Sequence, residues 1–265
     1  MSLLAIEDMT IRTPSRELVS HLSLSLEPGQ RFGLIGESGS GKSLTALAAV
    51  GLLPGGMTTS GSVRLEDTQV FGASDRDLAR LRGVVTATIF QEPLTALDPL
   101  MRVGRQVAEP LLRRARRDSR DVDAQREVLA LLEQVAIAEP ERIVRAYPHE
   151  ISGGQRQRVA IAMALACRPH LLIADEPTTA LDVTTQASIL KLLDGLVRER
   201  NMALLFISHD LPIVAGIVDD IVVLRQGVAV ERGPVQRVFS DPQHDYTKAL
   251  VGAARTFDAG LGRAA

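Results

Sequence analysis

The chain has 265 residues, of which 45% are hydrophobic and 23% charged, and its formal net charge is −2. That is ordinary globular composition, enough for one large domain with a subdomain, and the near-neutral balance gives no general electrostatic case for nucleic acid. The single cysteine, Cys167, rules out a disulfide framework or multi-cysteine metal site within one chain.

The opening stretch, MSLLAIEDMT, has no basic region followed by a long apolar run, so no signal peptide is predicted. Residues 3–35 read as strands, with Leu22-Ser23-Leu24-Ser25-Leu26 alternating as a half-buried strand should. Glu27-Pro28-Gly29-Gln30 is a turn into the apolar run Arg31 to Ile35.

Then comes Gly36-Glu37-Ser38-Gly39-Ser40-Gly41-Lys42-Ser43, which fits the phosphate-loop pattern G-x-x-x-x-G-K-S/T. A helix-like run, Leu44 to Leu53, follows it. Strand, glycine loop and helix form the context this chemistry needs. The glycines let successive N–H groups converge on an anion, and the helix start adds its positive dipole end. Lys42 is expected to reach the β- and γ-phosphates, and the Ser43 hydroxyl to hold Mg²⁺.

Gly61 to Glu66 reads as a strand, Asp75 to Arg82 as a polar helix, and Thr86 to Phe90 as a short strand ending at Gln91. Residues 95–165 are mostly helical in pattern, which predicts a helical subdomain inserted into an α/β core. It carries Arg113, Arg114, Arg116, Arg117 and Arg120, which fit either a contact with lipid headgroups or an acidic partner, or a plain solvated face. Cys167, in the run VAIAMALAC, is expected to be a small core residue.

Leu171-Leu172-Ile173-Ala174-Asp175-Glu176 is an apolar strand ending in two carboxylates. Strand ends in parallel sheets face the ligand crevice. Asp175 there suits the Mg²⁺ that Ser43 also holds, and Glu176 suits a general base polarising water. Ser152-Gly153-Gly154-Gln155 precedes another helical run and reads as a second anion site or as a simple cap. Beyond these lie a helix over Val183–Arg200, a strand over Ala203–Ile207, a helix over Ile213–Ile217 and a strand over Ile221–Leu224. Short helices follow at Pro234–Phe239 and Asp245–Ala254, with residues 255–265 expected to be a flexible tail. No apolar run is long enough to span a bilayer.

Together these stretches resemble the nucleotide-binding subunit of an ATP-binding cassette (ABC) transporter, over residues 3–254. GESGSGKS resembles the Walker A motif, LLIADEP the Walker B, and ISGGQRQRV the signature, with Ile151 where leucine is usual. Ala180-Leu181-Asp182 resembles the D-loop, Gln91 the Q-loop glutamine and His209 the switch histidine. The resemblance implies an α/β P-loop NTPase fold: one domain over residues 1–254, with an antiparallel β subdomain and the inserted helices at about 95–165.

It further implies that two such domains pair head to tail. Gly36, Ser38, Gly39, Ser40, Gly41, Lys42 and Ser43 would cradle this chain's own ATP, and Ser152, Gly153, Gly154 and Gln155 would touch the ATP bound by the partner. Gln91 would sense Mg²⁺ and couple to membrane subunits, with Ser43, Gln91 and Asp175 around the metal. His209 would contact the γ-phosphate, and Asp182 would serve the D-loop. The segments GESGSGKSLT, FQEPLTALDP and FSDPQHDYTKAL resemble the dipeptide, oligopeptide and nickel importer branch. That implies a peripheral subunit on the cytoplasmic face of the cell membrane, with two permease subunits, a second and different ATPase, and an extracytoplasmic solute-binding protein. The short tail without cysteine is more like the nickel or metallophore members, and peptide and metal-complex cargo remain open. The alternative is a soluble ABC ATPase acting on DNA or ribosomes. No sustained heptads lie between loop and signature, and the chain holds one cassette, so the residues favour the importer. One departure concerns adenine, which the family usually stacks on an aromatic residue. Arg12 to Leu18 has none, and Arg16 offers only a guanidinium plane.

Overall fold

The computed structural model describes residues 2–91, 96–179 and 181–260, with 256–260 as backbone only. The chain divides into two compact units, Met1–Leu78 with Ala203–Ala265, and Ala79–Met202.

The first unit begins with β1 (Leu4–Arg12) and β2 (Glu17–Leu26), an antiparallel pair. Leu22, Leu24 and Leu26 are buried and His21, Ser23 and Ser25 exposed, the alternation expected from the sequence. β4 (Thr58–Leu65) and β5 (Thr68–Gln69) extend this antiparallel region. The parallel region is built on β3 (Arg31–Ile35), which lies between β8 (Ala203–Ser208) and β9 (Asp220–Arg225) and runs parallel to both. All six residues of β8 are buried. Continuous burial on both faces is why these strands read as apolar runs without alternation. β10 (Val228–Pro234) pairs antiparallel with β9 and bridges to β2, joining the two regions.

The sequence carries no strand pattern over β10. Its one buried residue is Glu231, so no apolar period marks it. The helices of this unit are α1 (Lys42–Ala49), α8 (Leu211–Ala215), α9 (Val235–Ser240) and α10 (Asp245–Gly260), while α2 (Asp75–Leu81) lies at the division. α10 runs across the boundary at 254/255 drawn from sequence, and residues 261–265 lie outside the described residues.

The second unit holds the parallel pair β6 (Thr86–Ile89) and β7 (Leu171–Asp175). Between them the described residues contain helices and no strand: α3 (Val103–Arg117), α4 (Ala124–Gln134), α5 (Pro140–Ile143), a 3₁₀ turn (Pro148–Glu150) and α6 (Gly153–Leu165). α7 (Val183–Glu199) follows β7.

Arginines tie these helices together. Arg158 donates to Val135 O at 2.6 Å and to Ser188 Oγ at 2.8 Å. Arg200 donates to Leu165 O at 3.1 Å and to Gln134 Oε1. The arginine-rich stretch of α3 is largely engaged within the chain, with Arg113 on Glu109, Arg117 on Asp118 and Arg114 on both Asp118 and the Cys167 carbonyl. Of its two sequence readings, the solvated face with local ion pairs is the one these contacts favour.

Cys167 is buried and its thiol donates to Pro110 O at 3.4 Å. Burial pushes its pKa up, so little thiolate forms near neutral pH. Ellman's reagent should therefore titrate no thiol in the native chain at pH 8 and one thiol after guanidinium unfolding. Rapid reaction of the native protein would contradict this placement of Cys167.

Candidate functional site

In the first unit, Gly36–Ser43 bridges the end of β3 and the start of α1. Two glycines are required by the space. A Cβ on Gly36 would lie 2.2 Å from Leu224 O, and one on Gly41, at φ 102°, would lie 2.9 Å from Val19 Cγ2. Gly41 is the N-cap of α1 and has a left-handed backbone, which glycine adopts without steric cost. Ser38, Gly39 and Ser43 are exposed, while Ser40 and Lys42 are buried. The first-turn N–H groups of α1 have no carbonyl one turn back to bond, so they are available to an anion.

Lys42 is only 4% exposed, and its ammonium donates to Gly36 O at 2.7 Å and Glu37 O at 2.9 Å. The lysine thus lies across its own loop, with the positive charge held where a phosphate would arrive. The rest of the unit braces the loop. Gly227 N–H donates to Ser40 O at 3.0 Å, and Glu37 N–H donates to the Tyr246 hydroxyl at 3.0 Å.

His209 follows β8, and Ser208 at that strand's end registers with Ile35, the residue before the loop. Parallel pairing therefore puts His209 and Gly36 at the same edge of the sheet. His209 is exposed, and the segment after it is fixed by Asp210, which caps α8 by accepting from Ile213 N–H at 3.3 Å. At the turn between β1 and β2, Arg16 is exposed.

The second unit brings together the other carboxylate-bearing segments. Ile89 registers with Ala174, so Gln91 and the pair Asp175-Glu176 follow adjacent parallel strands. Asp175 is buried and Glu176 half-buried. Gln91 Nε2 donates to Glu176 Oε2 at 3.3 Å, and Thr179 Oγ1 donates to the same oxygen at 3.0 Å. Glu176 has φ 47°, a left-handed backbone that a non-glycine residue adopts only where its surroundings impose it. The carboxylate is thus aimed by its backbone and held by two side chains.

Ser152 caps α6. Its Oγ accepts from Gln155 N–H at 3.2 Å, and Gln155 Oε1 accepts from Ser152 N–H at 3.0 Å. This capping box realises the simple-cap reading, and the hydroxyl proton can still be donated elsewhere. Gly153 and Gly154 occupy the first turn, and a Cβ on Gly154 would meet Thr185 Cγ2 at 2.7 Å. Asp182 caps α7 by accepting from Thr185 N–H at 3.0 Å, and that backbone hydrogen bond holds its carboxyl below the usual range.

Ser43 belongs to the first unit, and Gln91 and Asp175 to the second. Among the described residues no group of three or more His, Cys, Asp or Glu side chains is arranged to hold a metal ion. Glu92–Thr95 of the FQEPLTALDP stretch and Ala180 of the D-loop lie outside the described residues.

Three participants escape a sequence reading. Thr179 is three residues from the glutamate it holds and sits in an unremarkable Thr-Thr pair. Buried Gln157, on the helix that Ser152 caps, donates to Pro177 O at 2.5 Å and so links that helix to the turn after Glu176. Tyr246 lies 209 residues beyond the Glu37 amide it meets. Only Thr179 had a local signal, a hydroxyl within reach of Glu176.

The glutathione import ATP-binding protein GsiA of Escherichia coli strain K12 is 46% identical over 265 residues, covering 95% of this chain and 42% of that protein. The peptidoglycan transport ATP-binding protein YejF of Agrobacterium fabrum is 49% identical over 237 residues, covering 89% of this chain and 43% of that one. The chain spans less than half the length of these relatives.

Among solved structures, the dimeric post-hydrolysis state of the ATP-binding cassette MJ0796 bound to ADP and Pi matches with a TM-score of 0.75 and 26% identity, covering 88% of this chain and 98% of that one. The fold of cbiO1 from Clostridium perfringens, part of the ABC transporter complex cbiONQ, matches with a TM-score of 0.77 at 24% identity, covering 99% and 96%. A profile of the family described as "ABC transporter" matches residues 19–179, a span that includes the phosphate loop, the Ser152 cap and the Asp175-Glu176 turn. More than half of the chain lies inside that match, and with a mixed α/β fold shared with solved cassettes, the chain belongs to the ABC transporter family.

Proposed function

We propose that this chain is the ATP-hydrolysing part of an ABC importer, working peripherally at the cytoplasmic face of the membrane. The observation that carries the reading is the strand–loop–helix at Gly36–Ser43, with a buried ammonium laid across it and His209 at the same sheet edge. Backbone N–H groups of the loop and the start of α1 bind the phosphates, and Lys42 exchanges its carbonyl partners for phosphate oxygens. His209 meets the γ-phosphate. Glu176, aimed by its left-handed backbone and held by Thr179, takes the proton of the attacking water.

The Ser43 hydroxyl, the Gln91 carbonyl and the Asp175 carboxylate are hard oxygen donors, the type Mg²⁺ selects. When bound, Mg²⁺ neutralises charge on the β- and γ-phosphates. Gln91 also touches Glu176, so a membrane partner that moves Gln91 moves a contact of the proposed base.

Ser152–Gln155 makes a second anion site without a lysine. We assign it to ATP held by a partner cassette, with the Ser152 hydroxyl accepting from Gln155 and donating to phosphate. Asp182, on the same side of α7 as Thr185, borders that site as the D-loop residue. The partner is a second ATPase of different sequence, and the assembly adds two permease subunits and an extracytoplasmic binding protein. No described helix is long and apolar enough to cross a membrane, so the membrane path is assigned to the permeases. The import and transport names of the relatives reported above favour this reading over an ATPase acting on DNA or ribosomes. They also favour a peptide-class cargo over nickel.

Replacing the proposed base tests the chemistry. Glu176→Gln should keep ATP binding and slow hydrolysis by about 10²–10⁴-fold, the worth of a positioned proton acceptor. Unchanged phosphate release would remove Glu176 from that role. Cargo is read in a deletion strain, which should lose uptake of radiolabelled glutathione or a dipeptide and keep uptake of nickel. The opposite pattern would assign a metal complex instead.

A further inference from the structure

The phosphate loop touches a part of the chain that the proposed chemistry does not use. The segment Gln243–Tyr246 enters α10 against β10, and a buried carboxylate sets its position. Glu231 accepts from Gln243 N–H at 2.9 Å and from His244 N–H at 3.0 Å. Burial pushes the Glu231 carboxyl up, but these two backbone donors prevail and hold it below its ordinary range. Tyr246 N–H then donates to His244 Nδ1 at 3.1 Å, which closes the turn and directs the tyrosine.

The ring is held as well as the backbone. The Arg225 guanidinium lies 5.1 Å from the centroid of Tyr246. Arg225 ends β9, and two residues later Gly227 N–H bonds Ser40 O of the phosphate loop. One turn, Arg225–Gly227, thus grips the loop at Ser40 and the tyrosine at its ring. The tyrosine in turn accepts the Glu37 N–H at 3.0 Å. Glu37 is exposed, so without Tyr246 its amide would face water at the entry to the loop.

We infer that Tyr246 is a positioning residue of the phosphate loop, holding the Gly36–Ser38 leg in the curvature that nucleotide phosphates require. The inference deepens the ATPase reading and rests on it only for the identity of the ligand. Lys42 bonds the carbonyls of Gly36 and Glu37, and Tyr246 bonds the amide of Glu37, so the peptide joining Gly36 to Glu37 is fixed at both its carbonyl and its amide. A loop already ordered binds without the entropic cost of ordering it. The hydroxyl proton of Tyr246 remains able to donate at the loop entrance.

Tyr246→Phe in the full chain tests this, because it keeps the ring on Arg225 and removes only the oxygen. Two measurements separate the inference from the reading beneath it. Amide hydrogen exchange without nucleotide should show Glu37 exchanging about five-fold faster or more, the loss of one ordinary hydrogen bond, with the β3 amides of Phe32 and Leu34 unchanged. Calorimetry with ADP, a probe that is not hydrolysed, should show the dissociation constant raised about five-fold by the same loss.

Unchanged exchange at Glu37 would overturn the contact. Equal acceleration at Glu37, Phe32 and Leu34 would make Tyr246 a general stabiliser and overturn the positioning role. Faster exchange at Glu37 with unaltered ADP affinity would overturn it too. If the unsubstituted chain bound no ADP, the ATPase reading would fall, and the exchange arm alone would decide whether Tyr246 fixes the loop.

Discussion

A lysine ammonium that is almost fully buried has to be satisfied, and at Lys42 the loop itself does this with two carbonyl oxygens. That constraint sets much of the first unit's architecture. The loop must curl tightly enough to present both carbonyls to one nitrogen. Gly36 is pressed against Leu224 O, and Gly41 adopts a backbone that side chains resist. The strand before the loop is buried between two parallel neighbours, so the loop's starting point is rigid. A phosphate arriving at the N-terminus of α1 finds the charge already in place, and little has to be assembled around it.

The second unit solves a different problem, that of aiming a carboxylate. A strand end leaves Glu176 in an uncommon backbone conformation, and the strain is tolerated because its neighbours hold the carboxylate. Gln157 extends the same arrangement inward by bonding Pro177 O from α6. The helix capped by Ser152 and the turn bearing Glu176 therefore share a buried hydrogen bond. A change at the cap has a physical path to the carboxylate without leaving the unit.

What was legible in the sequence follows from how local each cause is. The alternation of Leu22, Leu24 and Leu26 and the continuous burial of Leu171–Ala174 are one-dimensional patterns, and both appear in the structure as read. The phosphate loop was legible because its chemistry needs fixed residue types at fixed spacing. β10 was not, since its inward residue is Glu231, a carboxylate satisfied by amides twelve and thirteen residues away. The length of α10 was not legible because the mixed run Arg255-Thr256-Phe257-Asp258-Ala259-Gly260 carries no apolar stripe, yet the helix continues to Gly260. Gln157 and Tyr246 act through single hydrogen bonds across the fold, which no window along the chain can register. The arginines of α3 fit either a partner contact or a solvated face, and the choice turns on contacts the sequence does not show, which join several of them to nearby acids and to a backbone carbonyl.

The proposed chemistry depends on Gly36–Ser43 being a nucleotide-phosphate site in which Lys42 supplies the charge. Calorimetric titration of Mg-ATP into the chain and into its Lys42→Ala variant tests this most directly. The unsubstituted chain should bind, and the variant should lose about ten- to a hundred-fold in affinity, the worth of hydrogen bonds from a charged group. Equal affinity in the two proteins would contradict it.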